Sequence, residues 1–186
     1  MKTLSFPTGL AVAAVVLAFA TGCTQTLCDL QDPATGAPIS SNFSGTVADT
    51  ASPQSLSSSA ILQSVESISC NGFDRVVFTF SGSNTPGYFV EYIDKPVRAC
   101  GSGNVVPVVG DGFLEIRMTP AQAHTEDGQS TIAERNRMTN HTNILQLVDT
   151  CDFEGNVTWV LGVSSPNAYR VVELSNPPRL VLDVKQ

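Results

Sequence analysis

Seven short runs between residues 73 and 184 carry an apolar side chain at every second position, and that period of two is the pleat of a β-strand. In "FDRVVFTF" (73–80), Val76, Phe78 and Phe80 share one face while Arg75, Val77 and Thr79 share the other. "YFVEYID" (88–94), "GFLEIRM" (112–118), "NILQLVDT" (143–150), "NVTWVLGV" (156–163), "YRVVEL" (169–174) and "RLVLDV" (179–184) follow the same rule, separated by Gly, Pro, Asn and Ser. No long helical period competes with them. The polar stretch 121–138 reads as a long exposed loop with room for a helical turn or two. Short alternating strands with turn residues between them argue an all-β sandwich or barrel.

The last run is the most demanding. Pro177 and Pro178 lack the N–H that a ladder requires, so they mark the entrance to a strand over 179–184. Leu180, Leu182 and Val184 lie on one face, with Arg179, Val181 and Asp183 on the other. So apolar a terminus must pair into a sheet, and the chain ends by completing its core.

The other end has different chemistry. Lys2 precedes the apolar run "LAVAAVVLAFA" (10–20), which is too short to span a bilayer comfortably and reads as an export signal. "ATGC" follows, and this resembles the lipobox of bacterial lipoproteins, although Ala20 stands where Leu is commonest. The resemblance implies cleavage after residue 22, lipidation of Cys23 and a membrane anchor on the outer face of the cell membrane. Without Cys23 the five cysteines reduce to Cys28, Cys70, Cys100 and Cys151, an even set in an exported chain and hence candidates for two disulfides. Three pairings are possible. The expected one is Cys28 with Cys70, flanking the linker, and Cys100 with Cys151. A zinc site lacks support because there is no CxxC and neither histidine lies near a cysteine.

From Thr24 to about Ile68 the text turns to Ser, Thr, Ala, Pro and Gln, including "TASPQSLSSSA", and reads as a tether. A flexible chain of that length reaches roughly 35 to 40 Å. The alternative is a tail packed on the domain, with "SAILQSVESI" from Ser59 as a short helix or strand. The expected division is therefore a signal peptide over 1–22, a lipid-anchored flexible linker over 23–69 and a β domain over 70–186. The formal net charge of −7, with scattered cations, argues against nucleic acid.

The ordered set "FDRVVFTFSG", "GYFVEYID", "DFEGNVTWVLGV" and "VVELSNPPRLVLDV" resembles the AMIN-like domain of actinobacterial cell-envelope lipoproteins, over about 71–184. The resemblance implies a two-sheet β-sandwich without catalytic activity or cofactor. It implies peptidoglycan binding or localisation to the cell wall, and the alternative is a module that docks an envelope enzyme or secretion component. Glycans are recognised by aromatic faces with directed polar partners, which makes Tyr88 and Tyr92 the ligand-binding candidates. Trp159, among alternating aliphatics, reads as core. Arg75, Arg179 and Asp183 read as a structural ion-pair group between the first and last strands, weak if exposed. His124, Glu126, Asp127 and His141 show no metal or acid–base spacing and read as solvated loop residues. No GxSxG, SxxK or P-loop pattern is present.

Overall fold

The computed structural model describes residues 27–32, 35–39 and 43–186. The signal segment and Cys23 lie outside the described residues. A short 3₁₀ turn (Leu27–Asp29) comes first, followed by eleven strands. These are β1 (Thr50–Ser52), β2 (Ala60–Cys70), β3 (Phe73–Phe80), β4 (Gly87–Ile93), β5 (Gly112–Thr119), β6 (Ala121–Gln122), β7 (Asn136–Met138), β8 (Ile144–Phe153), β9 (Asn156–Val163), β10 (Tyr169–Leu174) and β11 (Arg179–Lys185). One sheet runs β1-β4-β5-β9-β8-β7 and the other β10-β11-β3-β2-β6. Every pairing is antiparallel except the short β2–β6 contact.

The alternating side chains meet between the two sheets. Val76, Phe78 and Phe80 from β3, Leu180, Leu182 and Val184 from β11, and Val157, Trp159 and Leu161 from β9 lie in one continuous core. Trp159 is fully buried and meets Phe78 edge-on at 6.2 Å between ring centroids, the arrangement favoured by the ring quadrupoles. β11 pairs on both sides, with β3 and with β10, so the chain does end by completing its core. The β8–β9 hairpin turns on Glu154 and Gly155, whose φ values of 48° and 74° are those of a two-residue turn matched to strand twist.

The outer faces of both sheets are also covered, which the alternation alone did not indicate. Over the five-stranded sheet, Leu30 and Ile39 bury against Val77, Leu174 and Val181. Over the six-stranded sheet, the 94–111 loop lays Val97 against Phe113 and Val160. That loop approaches so closely that a Cβ on Gly162 would fall on the carbonyl oxygen of Val109. Each cover is pinned by a disulfide: Cys28–Cys70 holds the N-terminal segment and Cys100–Cys151 holds the loop. The bonds close chain segments of 42 and 51 residues. Loop-closure entropy assigns each about 4 kcal/mol, the upper end of the usual range.

The expected boundaries move accordingly. β2, eleven residues long, pairs with β3 from Leu62↔Phe80 to Cys70↔Phe73 and belongs to the domain, not to a linker ending at residue 69. β1 pairs with β4, and Thr46 bridges Tyr169 through two backbone hydrogen bonds of 2.8 Å. The Ser-rich composition concealed this because a few buried apolar residues suffice to dock a segment whose other residues face water. The 121–138 stretch is likewise less exposed than its polarity implied, since Ala121, Ala123 and Ile132 are buried and β6 and β7 lie at its ends.

Arg75 and Asp183 face each other in the β3–β11 register, and both side chains are fully buried. The expectation of a weak exposed pair therefore does not hold. Arg75 Nε and Nη2 donate to the two carboxylate oxygens at 2.6 and 2.9 Å, and Arg170 Nε donates to Asp183 at 2.8 Å. Arg179, one turn of the pleat away, is not in the group; its Nε is buried without a hydrogen bond, and burial lowers its pKa against the opposing effect of Glu66. Removing one partner of a buried pair leaves uncompensated charge, at a cost of about 3–5 kcal/mol. Asp183→Asn should lower folding stability by an amount in that range, read from the denaturant midpoint at constant m-value. A loss under about 1 kcal/mol would mean the pair is solvated in solution.

Candidate functional site

The strands give the domain two ends. At one end lie the β2–β3 turn, the 3₁₀ turn and the C-terminus: Gln186 donates to Ser69 Oγ, to the Cys70 carbonyl and to Asp74 Oδ1. At the other end, the segment before Ala60 meets the loop after Phe80 and the β10–β11 turn. β2 separates them by about 30 Å.

The far end carries an open surface. One groove of about 510 Å³ is lined by Ser55, Ser57, Ser58 and Ser59 on one side and by Ser81, Ser83 and Asn84 on the other. It runs through Ser83 and Asn84 into a second depression of about 220 Å³ with Gln54, Thr85 and Glu173. Gln54 then leads to a more apolar groove of about 490 Å³, bounded by Ala51, Pro53, Tyr88, Phe89 and Arg117. Phe89 and Arg117 stand on the outer face of the six-stranded sheet, with the guanidinium carbon 4.8 Å from the ring centroid. Glu91 and Glu115 hold the same guanidinium at 2.5 and 3.1 Å, fixing its plane. Burial raises the Glu115 pKa, with Arg117 opposing and Glu91 adding to the rise. The surface thus presents a ring with a planar cation, and next to it a row of hydroxyls and amides.

The tyrosine candidates fall on the opposite face of β4. Tyr88, Val90 and Tyr92 point inward, and both tyrosines pack against the core. Tyr92 is unsuited to a sugar platform: its hydroxyl donates to the Asn167 carbonyl at 2.6 Å and its ring meets Tyr169 edge-on at 5.9 Å. Burial, reinforced by Tyr169, raises its pKa. Tyr88 is half-buried at the rim of the apolar groove, its pKa raised by burial and by Glu173. The neighbouring Phe89 takes the outward role. The sequence held this possibility in the alternation of "YFVEYID", but parity alone does not say which face is inside.

His124, expected as a solvated loop residue, instead joins a second cluster whose other members the sequence alone did not single out. His124 Nδ1 lies 2.9 Å from both Asp152 oxygens, and Arg135 bridges Asp152 at 2.8 Å and Asp149 at 2.7 Å. Arg135, Asp149 and Asp152 adjoin the Cys100–Cys151 disulfide in a depression of about 200 Å³. His141 is elsewhere, 2.9 Å from Ser67 Oγ, so the two histidines are not brought together. Burial tends to raise Asp152, but the Ala123 N–H, His124 and Arg135 outweigh it and hold the carboxyl below its usual range. Asp149 behaves oppositely: burial dominates, Arg135 offsets only part, and the pKa is pushed up to about 6. Among the described residues, no group of three or more His, Cys, Asp or Glu is placed to hold a metal ion. Nor is any helix among them long and apolar enough to cross a membrane.

Two sheets over one core, two disulfide-pinned covers and a polar-to-apolar surface at one end define an all-β sandwich module. The AMIN-like domain family model matches residues 60–186, and the chain belongs to that family. Membership associates it with the cell envelope. The match begins at the first residue of β2, in agreement with the structural boundary. No curated protein and no solved structure matches the chain.

The Asp149 environment has a measurable consequence. The unfolded carboxyl loses its proton near the ordinary value of 3.8 and the folded one near 6, so the unfolded state sheds protons first as pH rises. Stability from this group is full below about pH 4 and lost by about pH 6 to 7. Asp149→Asn should flatten the stability profile across that window, checked by denaturant midpoints from pH 3.5 to 8. An unchanged profile would place the titration elsewhere.

Proposed function

We propose that the protein is a non-catalytic envelope lipoprotein, anchored through lipid on Cys23, whose sandwich binds peptidoglycan glycan at the end formed by residues 51–59, 81–89 and 117–119. The observation that carries this reading is the continuity of the apolar Phe89–Arg117 groove with the hydroxyl-lined groove through Gln54, Ser83 and Asn84. A sugar ring has an apolar C–H face that packs on an aromatic ring and equatorial hydroxyls that need directed partners. Phe89 offers the first, while Gln54, Asn84 and the serines offer the second. The lining of the serine groove is uncharged, so a glycan strand meets hydrogen-bonding groups there without desolvating an ion.

The anchor rests on the sequence. Lys2, the apolar run and "ATGC" resemble a lipoprotein signal, and two disulfides agree with an exported chain. The family match supports the envelope location and an interaction role.

Purified sacculi should retain the soluble chain from Thr24 to Gln186 in a saturable manner. Phe89→Ala with Arg117→Ala should weaken that retention by about tenfold or more, as truncating an aromatic anchor typically does. Both residues face outward, so the variant should keep the wild-type circular dichroism. Saturable binding unaffected by the double variant would move the site away from this groove. Complete absence of binding at low salt would refute the glycan reading and favour docking of an envelope protein.

A further inference from the structure

The N-terminal segment bears on how the domain is mounted, a point that rests on the lipid anchor proposed above. The described residues from Leu27 to Ser52 are held against the sandwich at several points. Cys28 is bonded to Cys70, with their Cα atoms 5.8 Å apart. Arg75 Nη1 donates to the Leu27 carbonyl at 2.7 Å and to the Cys28 carbonyl at 3.4 Å. Leu30 and Ile39 are buried over the outer face of the five-stranded sheet. Phe43 stacks with Phe73 at 6.1 Å, and Arg170 lies 4.8 Å from its ring centroid. The strap then joins the sheets through Thr46 and β1.

The free tether is therefore not the long linker the composition implied. Only residues 24–26 separate Cys23 from Leu27, and four residue steps span at most about 14 Å when fully extended. We propose that the membrane surface itself is a docking partner: the domain stands end-on against the lipid headgroups on the end that carries Asn71, Gly72 and Lys185. The headgroup zone is about 5 to 7 Å thick on each side of the bilayer, so the tether leaves no room for a layer of free water the size of the domain. The protein's net negative charge disfavours laying a long flank on anionic lipid. The end face carries exposed Lys95 and Lys185 beside exposed Asp29, Asp94 and Asp111, so the short link to Cys23, not charge attraction, brings it to the headgroups. The end-on pose directs the serine and Phe89–Arg117 grooves away from the membrane, about 30 Å up the length of β2.

The test uses the full lipidated protein in phosphatidylglycerol–phosphatidylethanolamine vesicles that contain nitroxide-headgroup lipid as a short-range quencher. A fluorophore is placed at position 71 or at position 83, both in exposed turns. Mass spectrometry of the N-terminal peptide establishes the lipid on Cys23. The expected result is quenching several-fold stronger at position 71 than at 83, with the difference abolished when a long Gly-Ser spacer is inserted after Thr24. Equal quenching at the two positions in a protein shown to be lipidated would overturn the end-on mounting alone. A Cys23 without lipid would overturn the anchor and the mounting together, while leaving sacculus binding by the soluble chain to stand or fall separately.

Discussion

The carboxylate of Asp183 is the constraint on which the rest of the structure depends. It lies on β11, fully buried, between the guanidinium groups of Arg75 and Arg170. A lone carboxylate in that position would be prohibitively costly to desolvate, so its partners must be in place whenever the strand is. Arg75 comes from β3, Arg170 from β10, and the remaining Arg75 donors reach the carbonyls of Leu27 and Cys28. Phe73 and Phe43 close over the two cations, at 5.0 Å from Arg75 and 4.8 Å from Arg170. One side chain thereby ties together three adjacent strands and the strap. The geometry has no partially formed version that satisfies the charges, which favours a single register for β11.

Asp74, one residue before Arg75, fulfils a corresponding role between the sheets. Its Oδ2 accepts from the backbone N–H groups of Asn143 and Ile144 at 2.5 and 2.9 Å, and its Oδ1 from Ser69 and Gln186. Burial alone would raise its pKa, yet the Gln186 amide, those two N–H groups and the Ser69 hydroxyl hold it below its usual value. Asn143 extends the network by donating to the carbonyls of Ser165 and Lys185. The anchored end of the sandwich is thus held by directed bonds to buried groups. The far end is made of serine turns that satisfy themselves in water. Rigidity at one end and accessible hydrogen-bonding groups at the other is a division that suits the binding role proposed above.

Much of this was legible in the sequence. Alternation located each of the long strands after residue 73, Pro177 and Pro178 marked the entrance to β11, and the aliphatic setting of Trp159 identified it as core. The four cysteines left three pairings open, and the expected one, Cys28 with Cys70 and Cys100 with Cys151, is the one found. What escaped notice has a common cause. Leu30 and Ile39 are two apolar residues in polar surroundings, too few to give a period, and they dock because Val77, Leu174 and Val181 already form a patch for them. β2 is "AILQSVESISC", weighed from the sequence only as the alternative of a packed tail with a short helix or strand; Ala60, Leu62 and Val65 are buried, but the register shift between Leu62 and Ser64 breaks the parity that would have decided for the strand. The His124–Asp152 and Arg135–Asp152 contacts join positions 28 and 17 residues apart, separations that local pattern does not encode. Tyr88 and Phe89 show the remaining ambiguity: two aromatic residues in succession make both faces of a strand look suitable for the inside.

The covers also determine where recognition can occur. A sheet with an exposed outer face offers a broad, flat surface along its whole length, but here the strap and the 94–111 loop occupy much of both faces. Among the described residues, the larger open grooves lie at the end of the sandwich away from the disulfide-bound strap and at the Phe89–Arg117 corner. The disulfides therefore do more than limit the unfolded ensemble: they place two otherwise unremarkable segments where side-on binding would occur. Because the strap covers one face and begins four positions after Cys23, the same Cys28–Cys70 bond sets how much chain lies between that cysteine and the sandwich. A longer linker would let the domain tumble and present every surface to the wall. Under the mounting proposed above, a three-residue link would convert the fixed direction of β2 into a fixed direction relative to the membrane, with the open end toward the wall.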